Sequence, residues 1–94
     1  MNTQQLQEIL KRGIGHRLGG VYALNELPTH SEPDKFYICN TQPDWLPGEH
    51  WLAIYIGKQR QAEYFDSYGR PPKEAILKLL STNSDRCVYN SKRL

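Results

Sequence analysis

Cysteine is scarce in this 94-residue chain, which holds two, Cys39 and Cys87. They stand 48 positions apart without CxxC spacing, which argues against both a disulfide framework and a zinc site of the usual pattern. A reducing, intracellular setting is the default for such a chain. Long hydrophobic runs are lacking too. Nothing approaches the ~18 apolar residues of a membrane span, and the N-terminus does not show the basic then apolar order of a secretory signal. The sequence therefore predicts a soluble protein that is not exported by a signal peptide. Charge of one sign is also missing, because 12 basic and 10 acidic residues are mixed along the chain for a net +2. No dominating basic field for nucleic acid follows from that. Finally, only 37 of the 94 residues are Ala, Val, Ile, Leu, Met, Phe, Trp, Cys or Gly, against roughly 45 to 50% in an ordinary soluble domain. A chain of this length buries only somewhat more than ~60% of its unfolded surface, so the core is lean and the domain single. Repeats, low-complexity tracts and interdomain linkers are absent from it.

What is present reads as an alternation of short elements. Asn2 or Thr3 can cap a helix in which Leu6, Ile9 and Leu10 recur at helical spacing until Gly13. After Gly13-Ile14-Gly15 and Gly19-Gly20, Val21 to Leu24 reads as a brief strand, and Pro28 and Pro33 make the stretch to Asp34 a loop. Lys35 to Thr41 is a continuous apolar run of strand length, expected to be interior with both faces covered. Pro43 and Pro47 hold the next loop. Pro71-Pro72 precede Lys73 to Leu80, whose Ile76, Leu77, Leu79 and Leu80 predict a second helix. Ser81 to Asp85 reads as a polar loop, and Arg86 to Tyr89 as a last strand. The predicted class is α+β, a mostly antiparallel central sheet with flanking helices.

The chemistry-bearing stretch runs from Gly48 to Gly69. Gly48 to Ile56 and Ala62 to Gly69 flank the polar segment Gly57 to Gln61, the pattern of a β-hairpin that opens on His50 and closes on Asp66. If its loop is Gly57 to Gln59, Leu52 faces Tyr64 and His50 faces Asp66 directly, with Cβ atoms about 4.5 to 5.5 Å apart. A loop one residue shorter would put Asp66 on the other face from His50. A carboxylate behind an imidazole fixes its tautomer and stabilises its protonated form, while a buried His and Asp pair can equally be structural. Trp51 packs at the core or rim and can shield the imidazole. His16 and His30 lie in polar loops and take no role; Glu49, Glu63 and Asp44 read as solvated carboxylates. Cys39 reads as an inert buried thiol. Cys87 follows His50 and Asp66 in the chain, and Arg86 beside it could lower a thiol pKa. A strand interior is nonetheless a poor setting for a nucleophile, and packing is the favoured reading.

The segments Val21-Tyr22-Ala23-Leu24-Asn25-Glu26-Leu27-Pro28, Ile38-Cys39-Asn40-Thr41, Pro47 to Tyr55, Glu63-Tyr64-Phe65-Asp66-Ser67-Tyr68-Gly69 and Arg86 to Asn90 resemble the N-terminal two thirds of an adenain-type cysteine protease. Such domains occur in adenoviruses, in related viruses and in Maverick or Polinton transposons, and the SUMO-specific proteases share the wider fold. The His50-Trp51 pair and the Asp66-Ser67-Tyr68-Gly69 segment are its most specific parts. The resemblance implies His50 as general base, Asp66 as its orienting acid and Trp51 as the neighbour of the histidine. It implies a protein or peptide substrate, no metal, no other cofactor and no membrane, with an activating peptide or DNA suggested by resemblance alone. Location in a host cell, cytoplasm or nucleus, or in a virion goes with it. The family's oxyanion Gln and nucleophilic Cys lie beyond the strand matching Arg86 to Tyr89, and this sequence ends at Leu94. The chain thus reads as residues 1–94 of a C-terminally truncated protease domain with no nucleophile, or as a peptide-binding module derived from one.

Overall fold

The structure is a computed structural model that describes residues 3–40, 51–66, 69–72 and 74–89. Helix α1 (Thr3–Ile14) leads through a 3-10 turn at Gly15–Arg17 into β1 (Leu18–Tyr22), and a second 3-10 turn spans Leu24–Glu26. The remaining elements are β2 (Lys35–Asn40), β3 (Trp51–Ile56), β4 (Gln61–Asp66), α2 (Glu74–Asn83) and β5 (Arg86–Tyr89). The five strands form one sheet in chain order, β1 to β5. Its inner pairs, β2 with β3 and β3 with β4, are antiparallel, whereas β1 with β2 and β4 with β5 are parallel. The class is α+β as the pattern implied, but the sheet is mixed instead of mostly antiparallel. Parallel pairing needs a crossover, and α2 supplies one between β4 and β5.

Strand β1 begins three residues earlier than the hydrophobic run suggests, and Leu24 belongs to a 3-10 turn. The two glycines that looked like breaks lie inside the strand. A Cβ on Gly19 would stand 2.4 Å from Cε1 of Tyr37, and Gly20 has a φ of 154°. The Tyr37 ring thus lies against a strand that only glycine lets it approach. The register shifts between Leu18 and Gly20, a bulge at this edge of the sheet.

Period-two alternation sends Tyr37, Cys39, Leu52, Ile54, Ile56, Ala62 and Tyr64 to one face, where all are buried. Helix α2 covers that face with Ile76, Leu79, Leu80 and Asn83, the i, i+3, i+4, i+7 stripe of an amphipathic helix. Leu77, placed on that stripe by sequence, points outward and is half exposed. The other face is not covered in the same way. Phe36 and Ile38 of β2 are only half-buried, so this strand is interior within the sheet but covered fully on one side. Ile9 of α1 is likewise 53% exposed.

Helix α2 runs three residues beyond Leu80 because Asn83 has partners for its amide. Its Nδ2 donates to the carbonyls of Leu79 at 2.7 Å and Thr29 at 2.8 Å, and its Oδ1 accepts from the Ser31 backbone N–H at 2.9 Å. A residue that sequence propensity assigns to a loop therefore ends the helix and fastens it to the segment preceding β2. Leu79, fully buried, sets one measurable expectation. Leu79→Ala should cost about 2–5 kcal/mol of unfolding free energy in urea. Asn83→Leu, which leaves the Ser31 N–H and the Thr29 carbonyl without their partner, should cost about 1–3 kcal/mol.

Candidate active site

Strand β4 ends at Asp66, whose side chain lies on the α2 face and whose exposure is 1%. The chain then turns, with the Gly69 N–H donating to the Asp66 carbonyl at 2.8 Å and Gly69 in the left-handed region at φ 70°. A carboxylate this buried must have partners to offset lost hydration, and Asp66 is not without them. Its neighbours in the sheet are set by register. The row Cys39, Leu52, Asp66 crosses three strands, and the row Tyr37, Ile54, Tyr64 lies beside it. Burial pushes the Tyr64 phenol up to about 12, and the nearby Asp66 and Cys39 add to that shift.

The hairpin register differs from the one the sequence suggested. The residue directly opposite Asp66 is Leu52, and Tyr64 stands opposite Ile54. The connection is indeed three residues, but it is Lys58 to Arg60. The Gly57 N–H bonds the Gln61 carbonyl at 2.7 Å, and Arg60 adopts φ 58°. This is the turn-plus-left-handed-residue form of three-residue hairpin, here without glycine at the left-handed position. Moving the loop by one residue moves every cross-strand pair by two, so faces are kept while partners change. Direct opposition of His50 and Asp66 is thereby ruled out. His50 itself lies outside the described residues, as do Asp44 and Glu49. Trp51 is the first residue of β3, half-buried and paired with Asn40, on the face opposite Asp66.

The two thiols differ in exposure and agree in chemistry. Cys39 is wholly buried, and burial pushes its thiol up to about 12. Cys87 is exposed, as is every residue of β5, so it does not pack into the core as its strand context suggested. Its thiol is nevertheless raised by desolvation, and Arg86 beside it does not reverse that. Neither group is a ready thiolate near neutral pH. No cluster of three or more potential metal ligands exists among the described residues. No helix among them is long and apolar enough to cross a membrane. His16 and His30 are exposed, and the His16 carbonyl accepts a hydrogen bond from Lys35 Nζ.

One polar cluster was not foreseen. Asp34, at φ 60°, accepts from Arg17 Nε at 3.2 Å, from Arg17 Nη2 at 3.1 Å and from the Tyr55 hydroxyl at 2.7 Å. The Arg17 guanidinium also sits 5.0 Å from the centroid of Phe36 and 5.9 Å from that of Tyr55, whose rings are 4.6 Å apart. The cluster ties the start of β1 to β2 and β3 through one carboxylate. Only Asp34 immediately before a strand hinted at it in sequence. Phe36 and Tyr55 continue into an open groove of about 460 Å³ on the outer sheet face, lined also by Ala53, Glu63, Phe65 and Val88.

No protein-family model matches this sequence, and no curated protein matches it.

The Tyr55 hydrogen bond, then the Arg17 guanidinium, hold the Asp34 carboxyl below its ordinary 3.8. A carboxyl with a lower pKa folded than unfolded stabilises the fold above the unfolded value and loses that contribution as pH falls through it. Thermal melts should therefore show stability declining below about pH 4, with a shallower decline in Asp34→Asn, which keeps a residue tolerant of the left-handed backbone. Thiol titration of the native chain should modify Cys87 alone, with Cys39 reacting only after denaturant is added.

Proposed function

We propose that this chain forms part of a cysteine endopeptidase domain of the adenain type, with His50 as general base, Asp66 as the residue that orients it and Trp51 as the shielding neighbour. The observation that carries the reading is Asp66: a fully buried aspartate at the end of β4, on the core face, next to the first residues of β3. Buried acids cost stability and are commonly kept where they position another group. In the observed register the reading requires a diagonal contact between His50 and Asp66. Same-face diagonal neighbours stand about 7–8 Å apart between Cα atoms, a span that an imidazole and a carboxylate can bridge.

In such an enzyme a thiolate attacks the scissile carbonyl while His50 returns a proton to the leaving amine. Backbone N–H groups and the family's Gln stabilise the oxyanion. The thiolate and the Gln belong to sequence that follows the strand matching β5 in the family. Protein or peptide substrates follow from this chemistry. An activating peptide or DNA, and an intracellular or virion setting, rest on the resemblance alone.

A second reading is favoured by the thiols. With Cys39 sealed in the core and Cys87 raised by desolvation, the 94 residues can serve as a peptide-binding module that cleaves nothing. Incubation with a fluorogenic Gly-Gly peptide should give no turnover, and turnover abolished by Cys87→Ala would overturn the non-cleaving reading and the placing of the nucleophile in later sequence. The dyad itself is tested by nitrogen NMR of the His50 ring. An Asp66 carboxylate behind it should hold a single Nδ1–H tautomer, and Asp66→Asn should release a mixture. A ring indifferent to Asp66→Asn would refute the catalytic assignment and leave Asp66 structural.

A further inference from the structure

The two edges of the sheet are unlike. At one, β1 carries the bulge between Leu18 and Gly20, and α1 packs against it. Bulges and covering helices are the ordinary protections of a sheet edge. At the other, β5 is four residues long and carries one charge, Arg86, but has no proline, no bulge, and no partner on its outer side among the described residues. All four of its residues are exposed, Val88 at 70% and Tyr89 at 52%. From this contrast we infer that β5 is a self-association edge, pairing antiparallel with β5 of a second copy about a two-fold axis through Cys87.

Symmetry restricts the register. A two-fold axis perpendicular to the sheet keeps each side chain on its own face, so only residues of the same alternation can oppose one another. Axes at Arg86 or Tyr89 would align a single residue of β5, which leaves Cys87 opposite its own copy, with Arg86 opposite Val88, or Val88 opposite its own copy, with Cys87 opposite Tyr89. Charge decides between them. Glu63 pairs with Val88 in the sheet, so Glu63, Val88 and Arg86 share the outer face. Both Glu63 and Arg86 are exposed, and neither has an ion pair among the described residues. In the Cys87-centred register, Arg86 of one copy lies two strand spacings, about 9.5 Å, from Glu63 of the other, with Val88 between them. An arginine can lay its stem over that valine and reach the carboxylate. The symmetry makes two such pairs. The Val88-centred register instead brings no cation of the second copy level with either glutamate and sets the two glutamates in one row. A foreign strand has no reason to carry this arrangement, whereas a second copy carries it by construction.

This inference does not depend on the catalytic reading. Sedimentation of the whole chain under reducing conditions should show a monomer–dimer equilibrium. Each charge reversal, Glu63→Lys or Arg86→Glu, should raise the dissociation constant roughly 3- to 10-fold, and the two together should restore it. Diamide, an azo oxidant that takes two electrons and two protons from a pair of thiols, should trap the dimer as a Cys87 disulfide that Cys87→Ser abolishes. Glu63, Arg86 and Cys87 are all exposed, and an unaltered melting transition in each variant confirms that folding is intact. Monomer at all concentrations up to about 1 mM would overturn the inference, as would a dimer unmoved by the single reversals or one whose Cys87 thiols do not cross-link.

Discussion

Arg60 is the residue on which the arrangement of this small sheet most depends. Its left-handed backbone lets the β3–β4 connection close at Gly57 and Gln61, which sets the register of both strands. Its carbonyl accepts from the Asp85 N–H at 2.7 Å, while its side chain reaches Asp85 Oδ1 at 3.1 Å and the Thr82 carbonyl at 3.3 Å. The exposed ion pair is weak by itself. Its geometric effect is larger, because one residue fixes both the hairpin and the point where α2 hands the chain to β5. Moving the register would carry Asp66 away from Leu52 and would change which core side chains Ile76 and Leu79 meet.

The sheet then has two faces of different character. The inner one is apolar, covered by α2, and holds Asp66 at its margin. The outer one is aromatic, with Phe36 and Tyr55 under the Arg17 guanidinium and Phe65 and Val88 toward the far edge. A carboxylate at the inner margin is removed from water, whereas the Asp34 carboxylate at the outer margin stays accessible and is held by a cation and a phenol. Two aspartates of one chain thus differ in burial and in setting, Asp66 enclosed at the end of β4 and Asp34 fastening β1 onto the sheet through Arg17 and Tyr55.

Much of this was legible in sequence, and the failures share a cause. Both helices, the hairpin, β2 and β5 follow from periodicity and from the proline and glycine punctuation around them. The hairpin register does not, because it turns on a left-handed arginine, a conformation with no sequence signature. Asp34 is hidden for the same reason. Gly19 and Gly20 read as breaks because glycine usually interrupts strands, yet here the Tyr37 ring lies against Gly19, and Gly20 takes a φ of 154° beside the Tyr22 ring. The parallel pairs escaped notice because they depend on crossovers between elements distant in sequence. Of the candidate site, Asp66 ends a strand as the hairpin pattern implied and is buried on the core face, but the residue directly opposite it is Leu52. Trp51, read from sequence as core or rim packing, is half-buried on the outer side.

Asn83 carries a kinetic consequence. Its hydrogen bonds to Thr29 and Ser31 join residues 54 and 52 positions apart. Contacts of such separation require the intervening chain to be closed into a loop first, an entropic debt that slows folding. The local pieces of this chain, the hairpin and the two helices, can form early and separately. The bond between α2 and the segment before β2 can form only when the sheet is nearly complete. It is therefore a seam between distant parts of the chain, and contacts of this kind raise the mean sequence separation on which folding time depends.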